Sequence, residues 1–124
     1  MDRQDVDFST ADPRLWHYRA KVSKVLRGDS LIALIDLGFC SFRVERLQLA
    51  GVEAPVDRAL ADKARRRLVE LVEGREVLIR TERTAKLGRW LATIDLDGDR
   101  RLTVNRVLLD EGLVRVYTGR PDSP

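Results

Sequence analysis

The chain has little of what the commonest enzyme chemistries need. Cys40 is its only cysteine in 124 residues, so no internal disulfide can form. A lone free cysteine reads most simply as a small core hydrophobe. His17 is the only histidine, which excludes a His-rich metal centre. No apolar run is long enough to span a bilayer as a helix. The first residues are acidic, with Asp2, Asp5 and Asp7 and no apolar core, unlike a secretory leader, so a cytoplasmic location is the expectation.

What is present fits one globular domain. Hydrophobic residues make up 44% and charged residues 35%, enough for a modest core under a heavily charged surface. Lys and Arg exceed Asp and Glu by 23 to 20, a net +3 that is compatible with a polyanionic partner. Residues 1–14 are polar and read as an N-terminal arm, residues 15–118 as the domain, and residues 119–124 as a tail.

Residues 16–26 predict a first strand, because Tyr18, Ala20 and Val22 alternate with Arg19, Lys21 and Ser23. Arg27-Gly28-Asp29-Ser30 is a turn, and residues 31–36 form a nearly continuous apolar strand. Residues 39–49 predict a third strand. Its apolar parity switches from Phe42 and Val44 to Leu47 and Leu49, which predicts a bulge or sharp coil near Glu45-Arg46. A loop over residues 50–55 leads to a helix over 57–72, with Leu60, Ala64, Leu68, Leu71 and Val72 on one face and Gly74 ending it. Strands follow over 77–80 and 90–96, the latter with Trp90, Ala92, Ile94 and Leu96 alternating and Trp90 turned to the core. Asp97-Gly98-Asp99 reads as a turn. Thr103 can cap a short helix carrying Val104, Val107 and Leu108, and residues 113–117 are extended. Three strands, a helix, a hairpin and a helix make an α+β domain in the order of a five-stranded OB-type β-barrel with two or three helices.

Five segments, in order, resemble one family. Gly28-Asp29-Ser30 is similar to an Asp-Gly-Asp-Thr turn. The run from Leu49 to Pro55 is similar to Leu-x-Gly-Ile-Asp-Ala-Pro, and Ala61 to Leu68 to the helix after it. Lys86-Leu87-Gly88-Arg89 is similar to a Tyr-Gly-Arg motif, and Asn105 to Gly112 to a Val-Asn-x-x-Leu-Val-x-x-Gly-Leu helix. Together they resemble the thermonuclease-like (staphylococcal-nuclease-like) family across residues 18–117.

That resemblance implies a Ca²⁺-dependent phosphodiesterase acting on DNA and RNA. In such chemistry carboxylates and a backbone carbonyl hold the ion, a Glu activates water, and two Arg side chains neutralise the pentacoordinate phosphate. By position, Asp29 and Glu53 would be metal-binding carboxylates and Ala54 would offer its carbonyl. Arg89 would be a catalytic phosphate clamp. Three positions depart from the pattern. Arg27 replaces the first Asp of the turn and Gln48 the first clamping Arg, with Arg46 two residues away on the same strand face. Val56 replaces the general-base Glu, leaving Asp57 as a catalytic substitute that also suits a helix cap. Loss of a general base typically costs about 10²–10⁴ in rate.

Three functions are compatible with these residues. The first is a nucleic-acid-binding barrel with weak or absent cleavage, contacting single-stranded DNA or RNA through Arg46, Gln48, Lys86, Arg89 and Tyr117, with any Ca²⁺ site weakened. The second is an active Ca²⁺-dependent nuclease with a rewired site. The third is a protein-interaction module on the same barrel.

Overall fold

The computed structural model describes residues 17–83, 90–96 and 99–117. The arm expected over 1–14 and the tail expected over 119–124 fall outside the described residues, as do Lys86 and Arg89.

Strand β1 (His17–Arg27) buries Ala20, Val22 and Val25, as the alternation predicts, while Arg19, Lys21 and Lys24 face solvent. It pairs antiparallel with β2 (Ser30–Gly38), which pairs with β3 (Ser41–Leu49). The next elements are β4 (Val52–Glu53), α1 (Arg58–Val72), β5 (Glu76–Arg83), β6 (Trp90–Leu96) and β7 (Asp99–Thr103). Helix α2 (Val104–Asp110) and β8 (Arg115–Val116) complete the order.

The sheet runs β3-β2-β1-β5-β6-β7 and closes on itself where β3 meets β6 in parallel, Leu47 beside Trp90, Gln48 beside Leu91 and Leu49 beside Ala92. The result is a closed, mixed five-stranded barrel with two helices, an α+β OB-type fold. A separate two-stranded sheet joins β4 to β8. The barrel interior, with Val22, Leu31, Ala33, Leu47, Ile79 and Ile94, is continuous with Ala64, Leu68 and Val72 of α1 and Val104 and Leu108 of α2. Among the described residues no helix is long and apolar enough to cross a membrane.

Several local expectations are corrected. The bulge expected at Glu45-Arg46 is absent: β3 stays in register with β2 through Ala33 opposite Glu45 and Ile32 opposite Arg46. The irregularity lies in β1 instead, between Val22 and Lys24. The parity switch in β3 has another cause, since Phe42 and Val44 point outward, 57% and 66% exposed. Cys40 is exposed, not in the core. It shares with Phe39 a two-residue hairpin turn at φ 60° and 56°, the geometry such turns require. Leu60 is exposed at the start of α1, whose core face is Ala64, Leu68 and Val72. Trp90 does pack against the core, as its alternation predicts, but is only half-buried.

Candidate functional site

The β1–β2 turn is placed by close packing. A Cβ on Gly28 would come 2.6 Å from the Ala64 Cβ, so only glycine lets the turn lie against α1. Asp29 follows and is 4% exposed. Its Oδ2 accepts a hydrogen bond from the Ala54 amide at 2.9 Å, and its carbonyl accepts one from the Leu49 amide at 2.8 Å. One residue thus holds the turn, the end of β3 and the loop after β4 together. Asp29 Oδ1 has no hydrogen-bond partner, and the Arg27 Nε stands 3.6 Å from it.

The loop leaving β3 is fixed from the other side. Asn105, buried at the start of α2, donates from Nδ2 to the carbonyls of Ala50 at 2.9 Å and Ala92 at 3.1 Å. Its Oδ1 accepts from the Ile94 amide at 3.2 Å. The Ala50 amide donates to the Ala92 carbonyl at 2.8 Å, and the Tyr117 amide to the Gly51 carbonyl at 2.9 Å. Asn105 entered the sequence reading only as part of a motif. The sign of its role was an amide able to donate and accept at once on a helix that is otherwise apolar at its buried positions.

Glu53 lies opposite Arg115 in the β4–β8 pairing, and its Oε1 accepts from the Arg115 Nε at 3.1 Å. Nothing in the sequence reading singled out Arg115, because the partner sits far along the chain on a strand of two residues. Gln48 lies opposite Ser30, beside the Asp29 turn, and Arg46 opposite Ile32; Arg46 is exposed and Gln48 half-buried. Tyr117 follows β8 and is partly exposed. Val56 is 89% exposed and presents only methyl groups. Asp57 caps α1, accepting from the Leu60 amide at 3.1 Å.

Of the expected residues, Asp29, Glu53, Ala54, Gln48 and Tyr117 thus converge on the loops at one end of the barrel, bridged by backbone hydrogen bonds. Arg46 extends that group along β3. Asp57 sits after the same loop, with its carboxylate engaged by the helix.

A hard cation such as Ca²⁺ asks for six to eight oxygen ligands. The free Oδ1 of Asp29 suits such an ion, but the surroundings do not. A guanidinium already stands beside each carboxylate, Arg27 by Asp29 and Arg115 by Glu53. Among the described residues no group of three or more His, Cys, Asp or Glu could hold an ion. The residues present therefore do not fit a Ca²⁺ ion bound as the resemblance implies.

A closed five-strand barrel with a helix between its third and fourth barrel strands, and a polar loop cluster at one end, defines an OB-type domain of the nuclease-like kind. The chain belongs to the staphylococcal nuclease homologue family, whose model matches residues 46–123. It is also similar to Protein ParB of Escherichia coli, 27% identical over 123 residues that cover 92% of this chain and 67% of that protein. The family match begins inside β3, so Arg27 and Asp29 lie upstream of it.

Proposed function

We propose that the chain binds single-stranded DNA or RNA across the Asp29 turn, the Glu53-Ala54 loop, Arg46, Gln48 and Tyr117, with phosphodiester cleavage weak or absent. Lys86 and Arg89, outside the described residues, are further candidate contacts by the motif alone. The observation that carries this reading is the pair of guanidinium groups beside the two carboxylates. An arginine beside Asp29 offsets the negative charge that would otherwise repel a phosphate. It also offers N–H donors that match phosphate oxygens. A strand is then held by fixed cations. At the position of the general base, Val56 cannot take a proton from water, and the neighbouring Asp57 is engaged in capping α1, which supports weak or absent cleavage.

Fluorescence anisotropy of a labelled single strand, run with Ca²⁺ and with chelator, tests it alongside a cleavage assay on the same samples. Binding should weaken steeply with salt, survive chelation, and fall on Arg46→Ala or Tyr117→Ala. Ca²⁺-dependent cleavage that Asp29→Ala abolishes would replace this reading with an active nuclease. A folded chain with no affinity for either nucleic acid would replace it with a protein-interaction role.

A further inference from the structure

The barrel closes only over residues 47–49 of β3. Among the described residues, the preceding half of that strand, residues 41–46, pairs with β2 on one side and with no strand on the other. We infer that this half-strand is a self-pairing edge: two copies of the chain associate about a two-fold axis through Val44, their β3 edges forming one antiparallel ladder.

The hydrogen-bonding phase comes from the end of the strand. The Leu49 amide points toward the β2 side, donating to the Asp29 carbonyl, and the Ala50 amide points the other way, to Ala92. Because β3 is regular, odd-numbered residues direct their N–H and C=O groups at β2, and Phe42, Val44 and Arg46 direct theirs at the open edge. A two-fold ladder on this edge must therefore match even-numbered residues with even-numbered ones.

Charge then selects one register. The edge reads Ser41-Phe42-Arg43-Val44-Glu45-Arg46. Centring the axis on Arg43 sets Arg43 against itself, and centring it on Glu45 sets Glu45 against itself. Parallel pairing in register sets every charge against its like. With the axis on Val44, each Arg43 faces the Glu45 of the second copy, on the strand face where Arg43 and Glu45 already form an ion pair within the chain. On the outer face Val44 meets Val44, and Phe42 lies opposite Arg46, a guanidinium over an aromatic ring. Leu34, opposite Val44 on β2 and also exposed, continues the apolar strip on each side of the axis. The same charges penalise the registers centred on Arg43, Glu45 and Arg46, and one centred on Phe42 overlaps only residues 41–43 before the Phe39-Cys40 turn. The inference does not rest on the nucleic-acid reading, but the two share Arg46, so a dimer of this kind and a strand bound at Arg46 compete for that side chain.

The contact is one short ladder, so the dimer forms reversibly and depends on concentration. Sedimentation equilibrium on the full chain should show monomer and dimer. Val44→Pro removes an N–H aimed at the open edge and leaves the β2 ladder its bonds, so it should weaken association by about tenfold or more. Arg43→Glu alone and Glu45→Arg alone should each do the same, and the double exchange should restore association. In a Cys40→Ser background, Val44→Cys should form a disulfide-linked dimer on mild oxidation. The native Cys40 residues, roughly 27 Å apart in this register at about 3.4 Å per residue, should not. A chain that stays monomeric at high concentration overturns the inference. So does a dimer indifferent to Val44→Pro, or one that cross-links through Cys40 but not through position 44.

Discussion

The Asp29 carboxylate holds the Ala54 amide at 2.9 Å, so the residue that the family pattern assigns to metal binding is here a structural clasp between two loops. Removing the side chain leaves a buried N–H without an acceptor. Asp29→Ala should therefore cost about 1–3 kcal/mol of stability. Asp29→Asn keeps an acceptor oxygen and should cost clearly less. Urea unfolding of both variants checks this; equal losses would mean that the charge, not the hydrogen bond, is what matters.

The β1–β2 turn depends on one missing methyl group. Gly28→Ala sets two Cβ atoms 2.6 Å apart and should destabilise by about 1–3 kcal/mol through overpacking. Pairing it with Ala64→Gly removes the clash, so the double variant should be more stable than the sum of the two single losses implies. Thermal melts of the four proteins give the coupling. Additive losses would place the strain elsewhere.

Asn105 makes two buried hydrogen bonds, to Ala92 and Ile94, and a partly buried one to Ala50. Asn105→Leu has similar bulk but none of these bonds, and each buried group left without a partner costs about 1–3 kcal/mol. The expected outcome is a chain at the margin of folding. Early amide exchange at Ile94, in a variant that still folds, would report the lost acceptor; unchanged protection there would contradict the account.

Helices α1 and α2 are joined by Arg67, which meets Glu111 with Nε and a terminal nitrogen at 2.9 Å each and Glu70 at 3.0 Å. The Arg67 guanidinium lowers the Glu111 carboxyl pKa below its ordinary value, chiefly through these hydrogen bonds. A carboxylate lowered on folding stabilises the fold above its unfolded pKa, and that stabilisation is lost as pH falls through the lowered value. Both side chains are open to solvent, so the effect is small and weakens with salt. Carbon-detected NMR should show Glu111 titrating below the ordinary glutamate value, and Arg67→Gln should move it back toward that value.

Much of the barrel was readable from alternation. Tyr18, Ala20 and Val22 gave β1 its inward face, and Thr103 announced α2 by its cap. The errors came where exposure broke the rule that apolar means buried. Phe42 and Val44 imitate a parity switch because they are apolar and outward, and Cys40 and Leu60 are exposed despite their type. The site was legible as a set of positions but not as a set of pairings. Glu53 and Arg115 belong together only because β4 and β8 do, and strands of two residues carry no periodic signal. The engagement of Asp29 with Ala54 depends on how closely the turn packs on α1, which follows from Gly28 and Ala64 jointly and from neither alone.

The parallel junction of β3 with β6 also governs how the chain acquires its shape as it is made. The meander of β1, β2 and β3 is synthesised first and can form from local contacts. Its Leu47–Leu49 margin has no partner until Trp90, Leu91 and Ala92 have left the ribosome, and the Ala50 loop has no staple until Asn105 follows. For that interval the nascent chain carries an unsealed strand beside Phe42 and Val44, the period in which it is most exposed to aggregation and to chaperone capture.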